Sequence, residues 1–346
     1  MKIKDKRIGS NEPTFIIAEL SANHMNDFDV AVKTIEAIKE SGADAVKFQT
    51  YSPDTITIDC NNEYFQIKQG TIWDGQVLYD LYEDAYMPWA WQPKLKKIAE
   101  NLGLIVFSSP FDKTSVDFLE DMDVPAYKIA SYEITDIPLI EYVASKGKPI
   151  IISTGIASLE DIELAIQTCL DAGNNQIAIL KCTSSYPSPF EEINLNTIPA
   201  LEKKFNIVVG LSDHTMGCEV AIAGVSLGAK IVEKHFILDR NMNTPDSEFS
   251  MEPHEFKQMV ESIRNVEKAL GNDNFELTEK MIINQDFSRS LFVVKDINAG
   301  EIVTEDNVRS IRPGFGLHPK YLKEILGKKV NKDLKKGTPF ELFYVD

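Results

Sequence analysis

Short apolar runs rich in β-branched residues alternate with amphipathic segments along the first two thirds of the chain. Runs of this length without a polar face are typical of strands that are buried on both sides of a parallel sheet. The predicted strands are FIIAEL (15–20), AVKFQT (45–50), LIVFSS (104–109), AYKIAS (126–131), PIIIST (149–154), IAILKC (177–182), IVVGLS (207–212) and IVEKHF (231–236). Eight strands separated by helical patterns predict an α/β fold of the (β/α)₈ TIM-barrel class.

The segments between these runs place apolar residues at helical spacing, and several end in glycine, as helix C-caps do. The predicted helices are DVAVKTIEAIKES, PKLKKIAENLG, TSVDFLEDMD, LIEYVASKG, LEDIELAIQTCLDAG, EVAIAGVSLGAK and, after the eighth strand, HEFKQMVESIRNVEKALG. A doubly wound open sheet is the main alternative. It usually has fewer strands and a glycine-rich first turn, and the chain contains no G-x-G-x-x-G segment. We therefore predict that residues 1–270 form the barrel.

The pattern changes after the last predicted helix. Residues 271–288 are mostly polar and predict a linker. From residue 289 to residue 346, short apolar runs are broken by Gly and Pro, and no long helical pattern occurs. This pattern predicts a small β-rich domain.

The connection between the second and third predicted strands is longer than the others and is rich in aromatic residues. They include Tyr51, Tyr64, Trp73, Tyr79, Tyr82, Tyr86, Trp89 and Trp91. Loops that follow barrel strands build the active-site face, so the segment 51–92 is a candidate cover for a substrate. The alternative is that these aromatic side chains form a satellite core under a long loop.

The composition limits the function classes. The chain has 346 residues, 43% of them hydrophobic and 26% charged, which is typical of a soluble globular protein. A net charge of −17 excludes nonspecific binding to nucleic acid or anionic membranes, since both need a basic surface. No apolar run has the length of a signal-peptide core or a membrane span. The four cysteines lack C-x-x-C spacing, so we expect reduced thiols in the cytoplasm.

Polar residues cluster at the carboxyl ends of all eight predicted strands, which is where function lies in a barrel. They are Glu19, Lys47, Gln49, Ser108, Ser109, Lys128, Ser131, Glu133, Ser153, Thr154, Lys181, Thr183, Ser184, Ser185, Ser212, Asp213, His214, Glu233, Lys234 and His235. A buried charge without a partner is costly, so a lone lysine inside a strand favours a structural ion pair. Two such lysines beside many hydroxyls instead favour an anion-binding pocket.

Two of the five histidines end neighbouring strands. His214 and His235 can reach one ion at the barrel mouth, with Glu233, Asp213 and Asp246 nearby. A single histidine is more often structural, but this pair favours a divalent metal. Nitrogen and oxygen donors without a thiolate are compatible with Mn²⁺, Mg²⁺, Co²⁺ or Zn²⁺ in a catalytic site that keeps open positions.

Nine ordered segments resemble the sialic acid synthase family over essentially the whole chain. They are FIIAELSANH, GADAVKFQTY, FSSPFD, YKIAS, STGIA, KCTSSYP, GLSDHT, EKHF and TPDSEFSMEP. The last domain resembles the antifreeze-like (SAF, β-clip) domain of that family. Within the family, SANH, WDGQVLYDLYEDAYMPWAW and RSIRPGFGLHPKYL are most similar to the branch that makes pseudaminic acid.

The resemblance implies a condensation of phosphoenolpyruvate with an acetamido sugar. C3 of phosphoenolpyruvate attacks the open-chain aldehyde, water then adds at C2, and phosphate leaves. The sugar implied by the pseudaminic branch is 2,4-diacetamido-2,4,6-trideoxy-L-altrose. N-acetylmannosamine and the corresponding trideoxymannose, which lead to neuraminic and legionaminic acid, are the alternatives, and one sequence does not discriminate among them.

The resemblance also implies residue roles. His214 and His235 hold the metal, expected to be Mn²⁺ with Mg²⁺ or Co²⁺ as substitutes. Phosphoenolpyruvate is bound by Lys47, Ser109, Lys128, Ser131, Ser153, Ser184 and Ser212, although some synthases have Asn where this chain has Ser184. The sugar is contacted by Glu19, Gln49, Glu133, Tyr186 and Asp246. Glu233 orients or deprotonates the attacking water, and the expected catalytic residues are Glu233, Glu19, Lys47 and Lys128.

Arg312, in the tail, matches an arginine that contacts an acetamido group in the partner subunit of a domain-swapped homodimer. Two other functions remain open from the residues alone. A metal-dependent sugar-phosphate aldolase or isomerase on the same barrel could use the histidines, carboxylates and lysines for enolisation. A non-enzymatic ice-binding or surface-binding protein is the other, although eight polar strand ends argue against it.

Overall fold

The chain divides into two compact units, Met1–Gly271 and Asn272–Asp346, in a computed structural model that describes residues 1–68 and 70–346. The segment 271–288, predicted to be a linker, belongs almost entirely to the second unit and contains a short helix, Glu279–Asn284.

The first unit is built on a closed barrel of eight parallel strands, counted over its described residues. The strands are β1 (Phe15–Glu19), β2 (Ala45–Thr50), β3 (Ile105–Pro110), β4 (Tyr127–Ile129), β5 (Ile150–Ser153), β6 (Ile177–Cys182), β7 (Val208–Asp213) and β8 (Ile231–His235). Pairing of β8 with β1 closes the barrel, with His235 beside Glu19. The predicted fold class is confirmed, and every strand lies within two residues of its predicted bounds.

Helices follow each strand and cover the outside of the barrel. They are α1 (Phe28–Glu40), α2 (Gln92–Asn101), α3 (Lys113–Asp121), α4 (Ile137–Ala144), α5 (Leu159–Asp171), α6 (Thr197–Phe205), α7 (Glu219–Ser226) and α8 (Pro253–Leu270). Only α6 lacks a predicted counterpart. It is short and carries Pro199 in its first turn, where proline is tolerated but weakens a sequence-based assignment.

The period of two along each strand divides its side chains between two cores. Apolar residues such as Ile17, Phe107 and Leu180 fill the barrel interior near the amino ends of the strands. A short hairpin, Lys2–Ile3 paired with Lys6–Arg7, adds the buried Ile3 to this layer. Inward positions nearer the carboxyl ends are polar. Apolar side chains therefore fill the barrel at one end, and polar side chains line its interior at the other.

The aromatic-rich insertion between β2 and α2 contains the helices Pro53–Ile56 and Leu78–Ala85 and the 3₁₀ turns Glu63–Phe65 and Trp89–Trp91. Its aromatic side chains divide between a satellite core and the wall of a cavity. Trp91 packs on Phe28 of α1, and Trp89 packs on Phe118 of α3, as parts of a satellite core. Other members, described below, line a cavity.

The second unit has its own apolar core and short strands, as predicted. Strand β9 (Ser290–Val293) pairs in antiparallel orientation with β10 (Val308–Ile311), and a helical turn spans Leu322–Ile325. Leu291, Val308 and Phe340 are buried in its core. None of the described helices of either unit combines the length and apolarity needed to cross a bilayer.

Candidate active site

A cavity of about 570 Å³ opens at the carboxyl ends of the barrel strands. Most of the polar residues singled out from the sequence line it: Glu19, Lys47, Gln49, Lys128, Ser131, Glu133, Ser153, Tyr186, Ser212, His214, Glu233, His235 and Asp246. They come from six of the eight strands and from the loops that follow β4, β6, β7 and β8. They meet because inward positions at the same end of a closed barrel converge on its axis.

Glu233 of β8 lies between two buried lysines. Its Oε1 is 2.9 Å from Nζ of Lys47 and 3.3 Å from Nζ of Lys128, and it accepts a hydrogen bond of 3.0 Å from Oγ of Ser212. Lys128 also donates to Oγ of Ser153 at 2.7 Å. The two buried lysines therefore share one carboxylate as their counter-charge. The other oxygen of that carboxylate, Oε2, has no hydrogen-bond partner among the described residues.

Glu19 of β1 forms the second acidic contact. Its Oε2 lies 3.0 Å from Nζ of Lys47 and 3.2 Å from Nε2 of His235, and its Oε1 accepts a 2.8 Å hydrogen bond from Gln49. Glu19 thus connects the lysine pair to the histidines on the neighbouring strand ends.

The shared charges alter the protonation of these groups. Burial alone raises the pKa of Glu19, but Lys47, His235 and Lys128 together with the hydrogen bond from Gln49 outweigh burial and hold that pKa well below its usual range. Burial is likewise overridden at Glu233, whose pKa is lowered by Lys128 and Lys47. At Lys128 burial prevails and lowers the pKa, whereas two carboxylates outweigh burial at Lys47 and raise its pKa. Lys47 is therefore the more firmly charged lysine.

A group of hydroxyls lies beside the lysines. The hydroxyls of Ser109 and Ser184 are buried and lack a hydrogen-bond partner among residues 1–68 and 70–346, although neither residue lines the main cavity. Ser131 Oγ accepts from the backbone N–H of Gly155 at 3.1 Å. A Cβ at Gly155 would lie 2.0 Å from Oγ of Ser184 and 2.7 Å from Oγ of Ser131, so only glycine leaves room for these hydroxyls to stay close together.

The two histidines face each other at the mouth, with ring centroids 5.3 Å apart. Nδ1 of His235 is buried without a hydrogen bond among the described side chains and lies 3.6 Å from the carboxylate of Asp246. Burial lowers the pKa of His235, which favours the neutral imidazole that binds metals. Nδ1 of His214 faces the carbonyl oxygen of Thr183 at 3.3 Å, which leaves Nε2 for a ligand.

This donor set fits a divalent cation with open positions, because a buried imidazole nitrogen is left without a partner beside a second imidazole. No cluster of three or more His, Cys, Asp or Glu side chains is arranged around a common point in the part of the chain that the structure describes. A cation there would therefore have His214 and His235 as protein ligands, and its remaining positions would be left for substrate or water.

Asp213 and Lys234 do not join the cavity. Asp213, expected near the histidines, directly precedes His214, but its carboxylate pairs with Lys234 on the other face of the strand and does not line the cavity. The alternation of side chains explains both cases, since each residue directly precedes a histidine that points inward. Ser108 is likewise turned outward and bonds Thr50. Arg312 is an exposed residue of the second unit.

The upper wall of the cavity is apolar and comes largely from the insertion. It contains Tyr51, Ile56, Ile67, Trp73, Leu78, Leu81, Tyr82 and Ala85. Nε1 of Trp73 donates to the carbonyl oxygen of Pro245 at 3.1 Å, which ties the insertion to the loop after β8. Glu133 lies in the same cavity with Oε2 unpartnered among the described groups, and burial raises its pKa to about 7.

Phe249 was missed as a site residue. Its ring lies 4.8 Å from that of His235, 5.9 Å from His214 and 5.2 Å from Tyr186, measured between centroids. It lies in the segment TPDSEFSMEP, where an apolar residue inside an otherwise polar loop was the only available signal. Its ring also lies 6.5 Å from that of Trp73, so it contacts both the histidines and the aromatic wall.

Comparisons with known proteins agree with this geometry. Residues 34–275 match the NeuB family, and residues 288–341 match the SAF domain family. The chain is 47% identical to a pseudaminic acid synthase of Campylobacter jejuni over 328 residues, which cover 95% of each protein. It is also 47% identical to a pseudaminic acid synthase of Helicobacter pylori over 329 residues, covering 95% of this chain and 96% of the relative.

Among solved structures, an N-acetylneuraminic acid synthetase of Leptospira borgpetersenii superimposes with a TM-score of 0.74 at 30% identity. The match covers 82% of this chain and 94% of that protein. The family match covers strands β2 to β8, which carry the lysines, hydroxyls and histidines described above, and each of the two relatives covers 95% of this chain. The chain therefore belongs to the NeuB family and carries a SAF domain after its barrel.

Proposed function

We propose that this protein is a pseudaminic acid synthase, which condenses phosphoenolpyruvate with 2,4-diacetamido-2,4,6-trideoxy-L-altrose to give pseudaminic acid and phosphate. The observation that carries the proposal is the pair of buried lysines, Lys47 and Lys128, held on one carboxylate at the base of a cavity whose mouth carries two facing histidines. The 47% identity to two pseudaminic acid synthases across nearly the whole chain supports the same reaction.

Phosphoenolpyruvate carries two anionic groups, and the cavity base offers matching donors. Lys47 and Lys128 supply charge, and the hydroxyls of Ser131, Ser153 and Ser212 supply hydrogen bonds around them. Ser109 and Ser184 do not line the cavity, but their buried hydroxyls lack a partner among the described residues, and we assign them to the phosphate end of the substrate. Charge-assisted hydrogen bonds in a pocket shielded from water are strong enough to hold a small dianion.

Carbon–carbon bond formation needs the aldehyde of the sugar next to C3 of phosphoenolpyruvate. A divalent cation held by His214 and His235 would supply a Lewis acid for the aldehyde oxygen. Asp246 and Glu19 lie beside His235 and can orient sugar hydroxyls there. Phe249 packs against His235 and adds an apolar side chain to this part of the cavity, and lower local polarity strengthens the interactions of charged groups with the aldehyde.

Water must then add at C2 of the former phosphoenolpyruvate before phosphate leaves. Glu233 lies between the two lysines, and its Oε2 is available to accept a proton from that water. Its lowered pKa keeps the carboxylate ionised at neutral pH, as a proton acceptor requires.

The upper wall favours the trideoxy diacetamido sugar over N-acetylmannosamine. The altrose derivative carries three methyl groups, one at C6 and two on its acetamido groups, where N-acetylmannosamine carries one methyl and additional hydroxyls. A wall of Tyr51, Trp73, Tyr82 and Leu81 buries methyl groups well but leaves hydroxyls without partners. Discrimination among the two diacetamido sugars rests on stereochemistry.

A phosphate-release assay with phosphoenolpyruvate and Mn²⁺ tests the proposal. It compares the altrose derivative, the corresponding trideoxymannose and N-acetylmannosamine. We expect the highest kcat/KM with the altrose derivative. Without any sugar in the reaction, we expect no phosphate release. If N-acetylmannosamine is the only one of the three sugars that is turned over, the assignment is contradicted. Sugar cleavage without phosphoenolpyruvate points to an aldolase.

We further propose Mn²⁺ as the resident metal, a cytoplasmic location and a homodimer in which Arg312 reaches the partner's cavity. All four cysteines are free thiols, as expected in a reducing compartment. Apolar side chains at positions 275–287, including Phe275 and Phe287, are exposed in the single chain, which supports burial by a second copy. Light scattering of the full chain, together with the activity of Arg312→Ala, tests the dimer and the role of the arginine.

A further inference from the structure

Each histidine at the barrel mouth directly follows a charged residue that faces the opposite side of the barrel wall. Asp213 precedes His214 on β7, and Lys234 precedes His235 on β8. The register of the two strands places Lys234 beside Asp213. The charged pair and the histidine pair are therefore successive rungs of the same two strands, on opposite faces.

The charged pair is tightly bonded. Nζ of Lys234 lies 2.7 Å from Oδ2 of Asp213 and donates to the carbonyl oxygen of Thr215 at 2.7 Å. The other oxygen of Asp213 accepts from the N–H of Thr215 at 2.9 Å and from its hydroxyl at 2.8 Å. The backbone is thereby fastened on both sides of His214, by Asp213 before it and Thr215 after it.

These groups are sealed from water and from the cavity. Both charged side chains have 0% exposure. Their neighbours on the outer face of β8, Val232 and Phe236, belong to the apolar layer that also contains side chains of α7 and α8. Asp213 and Lys234 cannot touch a substrate from this side, so a direct catalytic role is excluded.

A buried ion pair is an inefficient source of stability, because desolvation consumes most of its Coulomb energy and apolar residues often replace it without loss. What it provides instead is a fixed geometry, since the pair satisfies its bonds only in one register of the two strands. That register is also the one that brings the imidazoles of His214 and His235 to a centroid separation of 5.3 Å.

We propose that the Asp213–Lys234 pair is a positioning device that holds His214 and His235 at the spacing needed to bind one divalent cation. The inference rests on the metal site in the proposed function and extends it to residues behind the barrel wall. Partners that orient metal ligands commonly change metal affinity by about 10–100-fold when they are removed.

The test is Mn²⁺ binding to the full-length metal-free protein, measured by the electron paramagnetic resonance signal of free Mn²⁺. Lys234→Met removes the charge and keeps the length of the side chain. Asp213→Asn keeps an acceptor for Thr215 and removes the other charge. Val232→Ala is the matched control, because it lies on the same face of the same strand and lowers stability without touching the pair.

We expect Lys234→Met and Asp213→Asn to weaken Mn²⁺ binding by at least about 10-fold, while Val232→Ala stays within about twofold of wild type despite a lower Tm. Mn²⁺ binding equal to wild type in the two charge variants overturns the proposal, as does an equal weakening by Val232→Ala. Should a single charge variant fail to fold, the double variant Asp213→Asn/Lys234→Met leaves no unpaired buried ion, and the same 10-fold criterion applies to it. A wild-type protein that binds no divalent cation contradicts the metal site itself, an outcome distinct from a variant that binds normally.

Discussion

Glu233 Oε1 lies 2.9 Å from Lys47 Nζ at the base of the barrel mouth. The same oxygen is shared with a second lysine, so the positive charge available to an anionic substrate is already partly neutralised by the protein. A substrate phosphate or carboxylate must compete with this carboxylate for the lysines. In the proposed reaction, Glu233 therefore weakens anion binding by the lysines and also supplies the proton acceptor.

Replacing Glu233 with Gln separates these two effects. We expect kcat to fall by about 10²–10⁴-fold, because the amide cannot accept a proton from water. Binding of phosphoenolpyruvate is expected to be as tight as in wild type or tighter, since the lysines lose an internal competitor. Steady-state kinetics and calorimetric titration with phosphoenolpyruvate measure the two quantities. Glu219→Gln, the same change at the exposed start of α7, serves as the control, and a kcat near wild type for Glu233→Gln removes the proposed role.

Replacing His235 with Ala tests the metal centre. The loss of one of two protein ligands is expected to abolish Mn²⁺ binding and to lower turnover by orders of magnitude, with the circular dichroism spectrum unchanged. EDTA is expected to inactivate the wild-type protein and Mn²⁺ to restore it. His254→Ala is the control, because that side chain is 75% exposed on α8. Full activity in metal-free buffer contradicts the Lewis-acid role, and retention of activity by His235→Ala makes this histidine structural.

Replacing Trp73 with Leu tests the insertion as part of the sugar site. The change removes the hydrogen bond to Pro245 and one of the three aromatic rings of the wall, so KM for the sugar is expected to rise by about 10-fold while KM for phosphoenolpyruvate stays within about twofold. Trp73→Phe keeps a ring without the N–H donor, and its KM for the sugar is expected to lie between those of wild type and Trp73→Leu. Tyr64→Leu, at an 82% exposed position of the same insertion, is the control. Equal effects on both substrates indicate a general loosening of the site.

Glu133→Gln tests the raised pKa of that carboxyl group. In the folded protein burial raises its pKa to about 7, above the ordinary value of 4.5. Below pH 4.5 the group is protonated in both the folded and the unfolded state, so its ionisation does not change the free energy of unfolding. Between pH 4.5 and 7 the folded state keeps a proton that the unfolded state has released, so its contribution to stability falls as pH rises, and above pH 7 the penalty is constant.

The glutamine variant cannot ionise and escapes this penalty. We expect Glu133→Gln to be more stable than wild type by roughly 1–3 kcal/mol at pH 8 and equally stable at pH 4, in the absence of ligands. Thermal unfolding of both proteins at the two pH values measures the difference, with the exposed Glu191→Gln as control. A stability difference that does not change with pH shows that Glu133 is not perturbed.

The local pattern of hydrophobic and polar residues was sufficient to predict the barrel fold. Strand β2 from Ala45 to Thr50 and helix α1 from Phe28 to Glu40 follow from hydrophobic periodicity, which depends only on neighbouring residues. The helix α6 and the insertion helix Leu78–Ala85 were not predicted, because both are short and their apolar faces become apparent only against the surfaces that they cover. Chemistry was also visible locally, since His214, His235, Lys47 and Lys128 are unusual residues at strand ends.

Tertiary structure decided how those residues combine. The sequence alone predicted an anion-binding and metal-binding set of residues at one end of a barrel, because strand ends converge whatever their exact register. It did not determine that Lys47 and Lys128 share Glu233, that Asp213 turns away to Lys234, or that Phe249 packs on His235. Those pairings depend on which face of each strand points inward and on how loops far apart in sequence pack together, and only closure of the barrel specifies both.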